Sequence, residues 1–118
     1  MSKFFFVLSR GPEDPTRGVR CFQFAKIAAE KGHDVKVFLI DDAVYLSNLG
    51  LAERIKAPTG DELATYWKFL QEKQVPILVC TPCAAAREIG EDDLPPNFRM
   101  ATGYELIDLA EESKLFTF

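Results

Sequence analysis

Apolar residues fall along this chain in two kinds of segment. Short unbroken runs recur at Lys3–Ser9, Asp34–Ile40, Pro76–Val79, Phe98–Ala101 and Leu115–Phe118, rich in Val, Ile, Leu and Phe. A run of strand length without polar alternation suits a strand buried on both faces, and the first of them reads as a central strand. Between the runs lie segments with helical spacing. In Thr16–Lys31, Arg20, Gln23, Lys26 and Glu30 mark a narrow polar stripe, while Val19, Cys21, Phe22, Phe24, Ala25, Ile27 and Ala28 fill most of the remaining surface. That apolar arc is wider than one sheet contact requires. Gly32 is placed to stop the helix. A short helix over Ala43–Asn48 is expected next, with Asp42 near its start, then a loop from Gly50 to Pro58. Thr59-Gly60-Asp61-Glu62 fits a capping box opening a helix to about Lys73, with Leu63, Tyr66, Trp67 and Leu70 facing inward. Thr102-Gly103-Tyr104-Glu105 fits a second box, opening a helix to about Glu112. Strands alternating with helices predict a parallel sheet with helices on both faces, in a single domain over residues 1–118.

Composition narrows the function classes. The 118 residues carry a net charge of −4, which argues against a nucleic-acid-binding surface. No apolar run approaches the roughly 20 residues that span a bilayer. Met1–Leu8 has a faint signal-peptide look, but its apolar part is short and Ser9-Arg10 follows at once, so a cytoplasmic location is expected. Three cysteines in such a chain do not form a disulfide framework. Ten phenylalanines are more than so small a domain readily buries, which points to surface covered by other subunits.

The chemistry concentrates where the third run ends, at Val79-Cys80-Thr81-Pro82-Cys83 followed by Ala84-Ala85-Ala86-Arg87. A strand closes on one cysteine, and an alanine-rich helix opens around a second. In a parallel α/β sheet that turn lies at the carboxyl edge, where such folds keep their sites. A thiol in the first turn of a helix meets unpaired N–H groups and the positive end of the backbone dipole, and both favour the thiolate. The bland reading is two small apolar residues at a crowded strand end; paired thiols on this turn favour the functional one. Structural zinc would need four ligands, and the chain has no second Cys-x-x-Cys and one histidine, His33. No metal or other cofactor is expected. A thioredoxin-like site would normally follow the first strand, whereas this motif follows the third.

Leu78 to Ile89 resembles the cysteine segment of the DsrE/TusD/YchN (DsrE/DsrF-like) family of small sulfur-handling proteins. Val37 to Val44 resembles that family's second strand with its Asp-Ala-Val turn, and Lys114-Leu115-Phe116-Thr117-Phe118 is similar to the terminal strand of the YchN-like branch. The resemblance implies a three-layer α/β/α fold around a five-stranded, mainly parallel sheet, and homotrimers or homohexamers. It also implies that Cys80 accepts sulfane sulfur as a persulfide and passes it to a partner protein. Cys83 matches the second cysteine of the YchN-like branch and is read as the resolving thiol. One departure stands out: where the family usually has a glycine after the arginine, Glu88 follows Arg87, and an acid near the turn would oppose a thiolate.

Five residues are expected to frame the thiols. Asp41 and Asp42 end the second strand, and Asp42 either caps the following helix or lines the crevice rim. Arg10 and Gly11 follow the first strand and border the same crevice; Arg10 either stabilises an anionic sulfur or is a solvated loop charge. Arg87, one helical turn beyond Cys83, has the same two readings. His33 is expected to be exposed and idle, and Cys21 to be core. The expected function is sulfur carriage between donor and acceptor proteins, without membrane or direct nucleic-acid contact. The rivals are a dithiol redox or oxidant-sensing protein and a non-catalytic small-molecule-binding module of the same fold.

Overall fold

The computed structural model describes all residues, 1–118. The elements run β1 (Lys3–Leu8), α1 (Pro15–Glu30), β2 (Asp34–Leu39), a 3-10 helix (Asp41–Ser47), α2 (Leu49–Ala52), α3 (Leu63–Glu72), β3 (Ile77–Cys80), α4 (Thr81–Ala86), a 3-10 turn (Glu91–Asp93), β4 (Phe98–Ala101), α5 (Gly103–Glu112) and β5 (Lys114–Thr117). The five strands form one all-parallel sheet in the order β4-β3-β2-β1-β5. The central strand is therefore β2, not β1; β1 is interior, flanked by β2 and β5.

Crossover handedness sets the layers. The steps β1→β2→β3→β4 all move one way across the sheet, so right-handed connections place α1, α3 and α4 on one face. The step from β4 to β5 runs back to the opposite edge and places α5 on the other. Strand alternation then sorts the side chains. Phe6, Leu8, Val35, Val37, Leu39, Ile77 and Val79 point into a core of 24 buried residues with Val19, Phe22, Leu63, Trp67 and Leu70 from the helices. Phe5, Val7, Phe38, Leu78 and Ala101 point the other way, and only the partly buried Leu106, Leu109 and Ala110 of α5, together with Ile40 and Cys80, cover them. One face of the sheet is sealed and the other is thinly roofed.

Three helices end alike. After α1, α3 and α4 the chain turns through a left-handed residue, Gly32 (φ 85°), Gln74 (φ 57°) and Glu88 (φ 58°). In each case the next amide reaches back: His33 N–H to Ala28, Val75 N–H to Leu70, Ile89 N–H to Ala84. This paired closure satisfies the last helical carbonyls and favours glycine at the left-handed position. The glycine missing after Arg87 is thus a backbone matter.

Several caps depart from expectation. Asp14 caps α1 and Thr102 caps α5, but Glu105 pairs with Arg99 rather than reaching back to close a box. Thr59 caps nothing: α3 begins at Leu63 without a side-chain cap. The Thr59 hydroxyl donates to Asp61, which also receives Arg20 and Tyr66. This cluster holds Asp61 below the usual carboxylate range through the Thr59, Arg20 and Tyr66 hydrogen bonds. It turns the polar stripe of α1 into a tie to the segment before α3. Within the expected 50–58 loop, Asn48 caps the single turn of α2 through the Leu51 amide. Phe24 and Ile27 remain exposed beside Phe4, Phe6 and Phe116, which accounts for the wide apolar arc.

Candidate functional site: the thiol corner

Because β1, β2 and β3 are neighbours, their carboxyl ends bring three short segments to one corner of the sheet. These are Ser9–Gly11 after β1, Asp41–Asp42 after β2 and Cys80–Cys83 after β3. The loops that the sequence marked out separately are adjacent for that reason alone.

Cys80 is the last residue of β3 and the N-cap of α4, and Cys83 lies in the first turn. Pro82 occupies the second helical position, where its missing N–H costs no helical hydrogen bond. The Thr81 hydroxyl donates to the Ala101 carbonyl at 2.9 Å, tying the start of α4 to the end of β4. Both thiols are half-buried and free, in contrast to Cys21, which is fully sealed.

The electrostatics differ from the sequence expectation. Helix α4 has six residues, about one and a half turns, so its dipole is short. Burial pushes the Cys80 thiol up, and so does its side-chain hydrogen bond with Cys83; the Cys83 backbone N–H opposes them, and the charges of Cys83 and Asp41 add to the rise. The corner does not activate Cys80 in the way a helix tip was expected to. Nor does Glu88 supply the opposing acid. It lies past the far end of α4, exposed, along a depression with Tyr45, Arg54 and Asp93.

Cys83 meets a different neighbour. The Asp41 backbone N–H donates to Cys83 Sγ at 3.2 Å. The amide can do so because Asp41 takes a left-handed conformation, φ 50°, which Asp tolerates better than most residues. The Cys83 thiol in turn donates to Asp41 Oδ1 at 3.9 Å. Sequence reasoning marked the side chains at this strand end; the group that reaches the sulfur belongs to the backbone, and no residue pattern reveals its direction.

Asp42 and Arg87 form a clamp. Arg87 Nε and Nη2 donate to Asp42 Oδ1 at 3.1 and 2.8 Å, and Nη1 donates to the Cys83 carbonyl at 3.0 Å. The guanidinium also lies over the Tyr45 ring at 5.8 Å. Asp42 therefore caps no helix; the 3-10 helix that it enters has no side-chain cap. Arg87 spends its donors on Asp42 and a carbonyl, so it does not simply face water; it donates to no sulfur, though its charge interacts with Cys83. Gly11 packs from the other side. A Cβ there would meet the Asp42 carbonyl oxygen at 2.2 Å, so only glycine fits. Arg10 is exposed at the same edge and forms no ion pair. His33 is not idle: its Nδ1 accepts the Ser2 amide at 3.0 Å and its ring packs on Phe4. No three His, Cys, Asp or Glu side chains converge as they would around a metal ion.

The corner can hold two thiols of unequal character side by side, one desolvated and one facing an amide donor, both reachable from solvent. Such a pair suits attack on a sulfur atom and reversible disulfide formation.

Comparison with known proteins agrees with this architecture. The profile of the DsrE/DsrF-like family matches residues 2–118. An uncharacterized protein of Methanopyrus kandleri is 31% identical over 110 residues, covering 91% of this chain and 85% of that protein. A protein of Allochromatium vinosum named "Putative sulfurtransferase DsrE" is 29% identical over 123 residues, covering 92% and 91%. Among solved structures, the ychN protein from E. coli superposes with a TM-score of 0.83 at 24% identity over the whole of both chains. A Methanobacterium thermoautotrophicum protein of unknown function gives 0.73 at 12% identity, again over both whole chains. Those likenesses speak for the fold: an all-parallel, five-stranded α/β sheet.

Proposed function

The chain belongs to the DsrE/DsrF-like family, and from that premise we propose that it carries sulfane sulfur on the Cys80–Cys83 pair and hands it to a partner protein. The observation that supports this reading most is the pair itself: two free, half-buried thiols where β3 hands over to α4, at one corner of the sheet. A thiolate of the pair attacks the terminal sulfur of a donor persulfide. A sulfur–sulfur bond forms on this chain, the donor's own sulfur–sulfur bond breaks, and the donor leaves as a thiolate. An acceptor thiolate can then take the sulfur by the same exchange in reverse. Alternatively, the second thiol of the pair, deprotonated, attacks the persulfide and releases hydrosulfide. That leaves a Cys80–Cys83 disulfide, which a dithiol reductant must reopen before another cycle.

The exposed apolar side chains support assembly with further copies of this chain, as a trimer or hexamer. Tyr104, Ile107, Leu115, Phe116, Phe24 and Ile27 are all more than a third exposed, and Phe24, Ile27 and Phe116 share one depression with Phe4 and Phe6, the kind of apolar surface that marks a protein–protein contact. Light scattering reads the assembly directly. No helix is long and apolar enough to cross a membrane.

Incubation with inorganic polysulfide followed by intact-mass measurement tests the sulfur reading. Wild type is expected to gain sulfur and the Cys80→Ser, Cys83→Ser double variant to gain none. Equal uptake by the double variant, or none by wild type, would refute it. The two neighbouring free thiols also favour a second reading, a dithiol switch without sulfur transfer. In that case an oxidant produces a reversible Cys80–Cys83 disulfide while polysulfide leaves no persulfide.

A further inference from the structure

The family resemblance implies that Cys80 is the reacting thiol. The geometry points elsewhere: we infer that the Asp41 backbone amide is the hydrogen-bond donor that serves the sulfur chemistry of this corner, and that Cys83, the sulfur it reaches, is the thiol that takes and releases the transferred sulfur. The inference deepens the sulfur-transfer reading and rests on it for its chemistry.

Three independent features fix the amide on the sulfur. Asp41 takes a left-handed backbone conformation, φ 50°, immediately after extended Ile40. A non-glycine residue holds such a conformation only where its surroundings impose it. Gly11 supplies one constraint, since its Cα face touches the Asp42 carbonyl and leaves no room for a side chain. Arg87 supplies another by joining Asp42 Oδ1 to the Cys83 carbonyl, which locks α4 against the turn after β2. The result is an N–H aimed at Cys83 Sγ at 3.2 Å, across 42 residues of sequence. Hydrogen bonds to a charged acceptor are roughly twice as strong as neutral ones, so a fixed N–H favours the thiolate over the thiol. Cys80 also meets an amide, the Cys83 N–H, but burial and the neighbouring sulfur outweigh it and favour the protonated form.

The charged groups beside the sulfurs are Asp41, from the segment after β2, and Arg87, from α4, with Asp42 and Tyr45 packed against Arg87. Arg87 is neutralised locally by Asp42. Asp41 therefore acts in two opposed ways. Its amide favours the Cys83 thiolate, and its carboxylate, at 3.9 Å, disfavours it.

The chemical step follows without net redox change. Cys83 thiolate attacks the terminal sulfur of a donor persulfide; the new bond joins Cys83 Sγ to that sulfur, and the donor departs as a thiolate. When an acceptor thiolate removes the sulfur, the electron pair returns to Cys83 Sγ, and the Asp41 N–H again meets a negative charge. The amide thus serves Cys83 as nucleophile and as leaving group.

Substitutions at Asp41 separate amide from carboxylate. Asparagine and glycine keep the left-handed turn and lose the charge; valine, β-branched, disfavours the turn. The probe is limiting iodoacetamide at neutral pH on the full chain in its native assembly, with labelled positions read by peptide mass mapping. Wild type is expected to label Cys83 ahead of Cys80 by about tenfold, the size of one charge-assisted hydrogen bond. Asp41→Asn and Asp41→Gly are expected to label Cys83 as fast or faster, and Asp41→Val to lose about tenfold at Cys83 while circular dichroism stays native. Preferential labelling of Cys80 in wild type would overturn the inference without any variant having to fold. So would an Asp41→Val protein that folds and labels like wild type, or a loss in Asp41→Asn as large as in Asp41→Val. The labelling involves no sulfur donor, so its outcome stands apart from the polysulfide test. Persulfide formed on Cys80 with Cys83 unmodified would preserve sulfur carriage and defeat the assignment made here.

Discussion

Cys21 and the Cys80–Cys83 pair are the same side chain in two settings of one small domain. Cys21 sits mid-helix in α1, fully enclosed by the larger core. Burial alone pushes its thiol far above the ordinary value of 9.0, with no donor to offset it. The pair sits where that core gives way to the sheet's carboxyl edge, half-buried and within reach of backbone amides. The difference is one of partners as much as of depth. A sealed thiol keeps its proton because water has been replaced by hydrocarbon; at the corner, water has been replaced partly by fixed N–H groups. Packing makes one sulfur inert, and a turn that the packing holds in an awkward backbone state makes another available.

Replacing sulfurs breaks the comparison most sharply. Cys80→Ser with Cys83→Ser should abolish iodoacetamide labelling of the native protein altogether. Cys21→Ala should leave that labelling unchanged and cost about 1 kcal/mol in a denaturant melt, the scale of a small buried truncation. Rapid labelling of Cys21 in the folded protein would erase the distinction.

The next effect acts through Gly11. Gly11→Ala forces a methyl group against the Asp42 carbonyl, and overpacking of this kind typically costs about 1–3 kcal/mol. The loss should show in thermal melting together with slower labelling at Cys83, while Cys21 stays silent. A melt and a labelling rate both like wild type would mean that the turn after β2 yields freely.

Alkaline pH sharpens the contrast in a third way. The folded-state values of Cys21 and Cys80 are raised, so the folded protein keeps protons that the unfolded chain releases. The associated stability is fully present below about pH 9 and is lost as pH rises from there toward the folded values. The slope for one such group is about 1.4 kcal/mol per pH unit. Cys21→Ala should flatten the alkaline arm of a stability–pH curve; an unchanged arm would place the loss in other groups.

The smallest effects lie where α4 ends, at the Asp42–Arg87 pair and at Glu88. Asp42→Asn weakens a partly exposed ion pair and should cost under about 1 kcal/mol. Glu88→Gly relieves the left-handed residue that closes α4 and should stabilise by about 0.5–1 kcal/mol, without altering either thiol. A changed labelling rate in Glu88→Gly would restore the expectation that this acid acts on the turn.

What the sequence disclosed divides along similar lines. The strands could be read because each is an unbroken apolar run, and their ends fell within a residue or two of the expected places. The one-turn α2 escaped because four residues carry no periodicity. The Thr59 box failed because its hydroxyl and the Asp61 carboxylate serve Arg20, about 40 residues away in sequence, a competition that no local pattern reveals. At the site, the strand–turn–helix pattern located both sulfurs correctly at the sheet edge. It could not show that the helix is too short to lend much dipole, that Arg87 closes on Asp42 rather than on a sulfur, or that Asp41 turns its amide toward Cys83. Those depend on long-range placement and on one backbone angle, and residue identity constrains neither strongly.

Mapping the added sulfur tests the central claim most directly. After brief exposure to inorganic polysulfide, native protein is alkylated, digested and mass-mapped across all three cysteines. The account predicts one sulfur of added mass on the Cys80–Cys83 peptide and none on the peptide containing Cys21. Added sulfur on Cys21 instead, or no added sulfur on the pair while its thiols still alkylate freely, would contradict it.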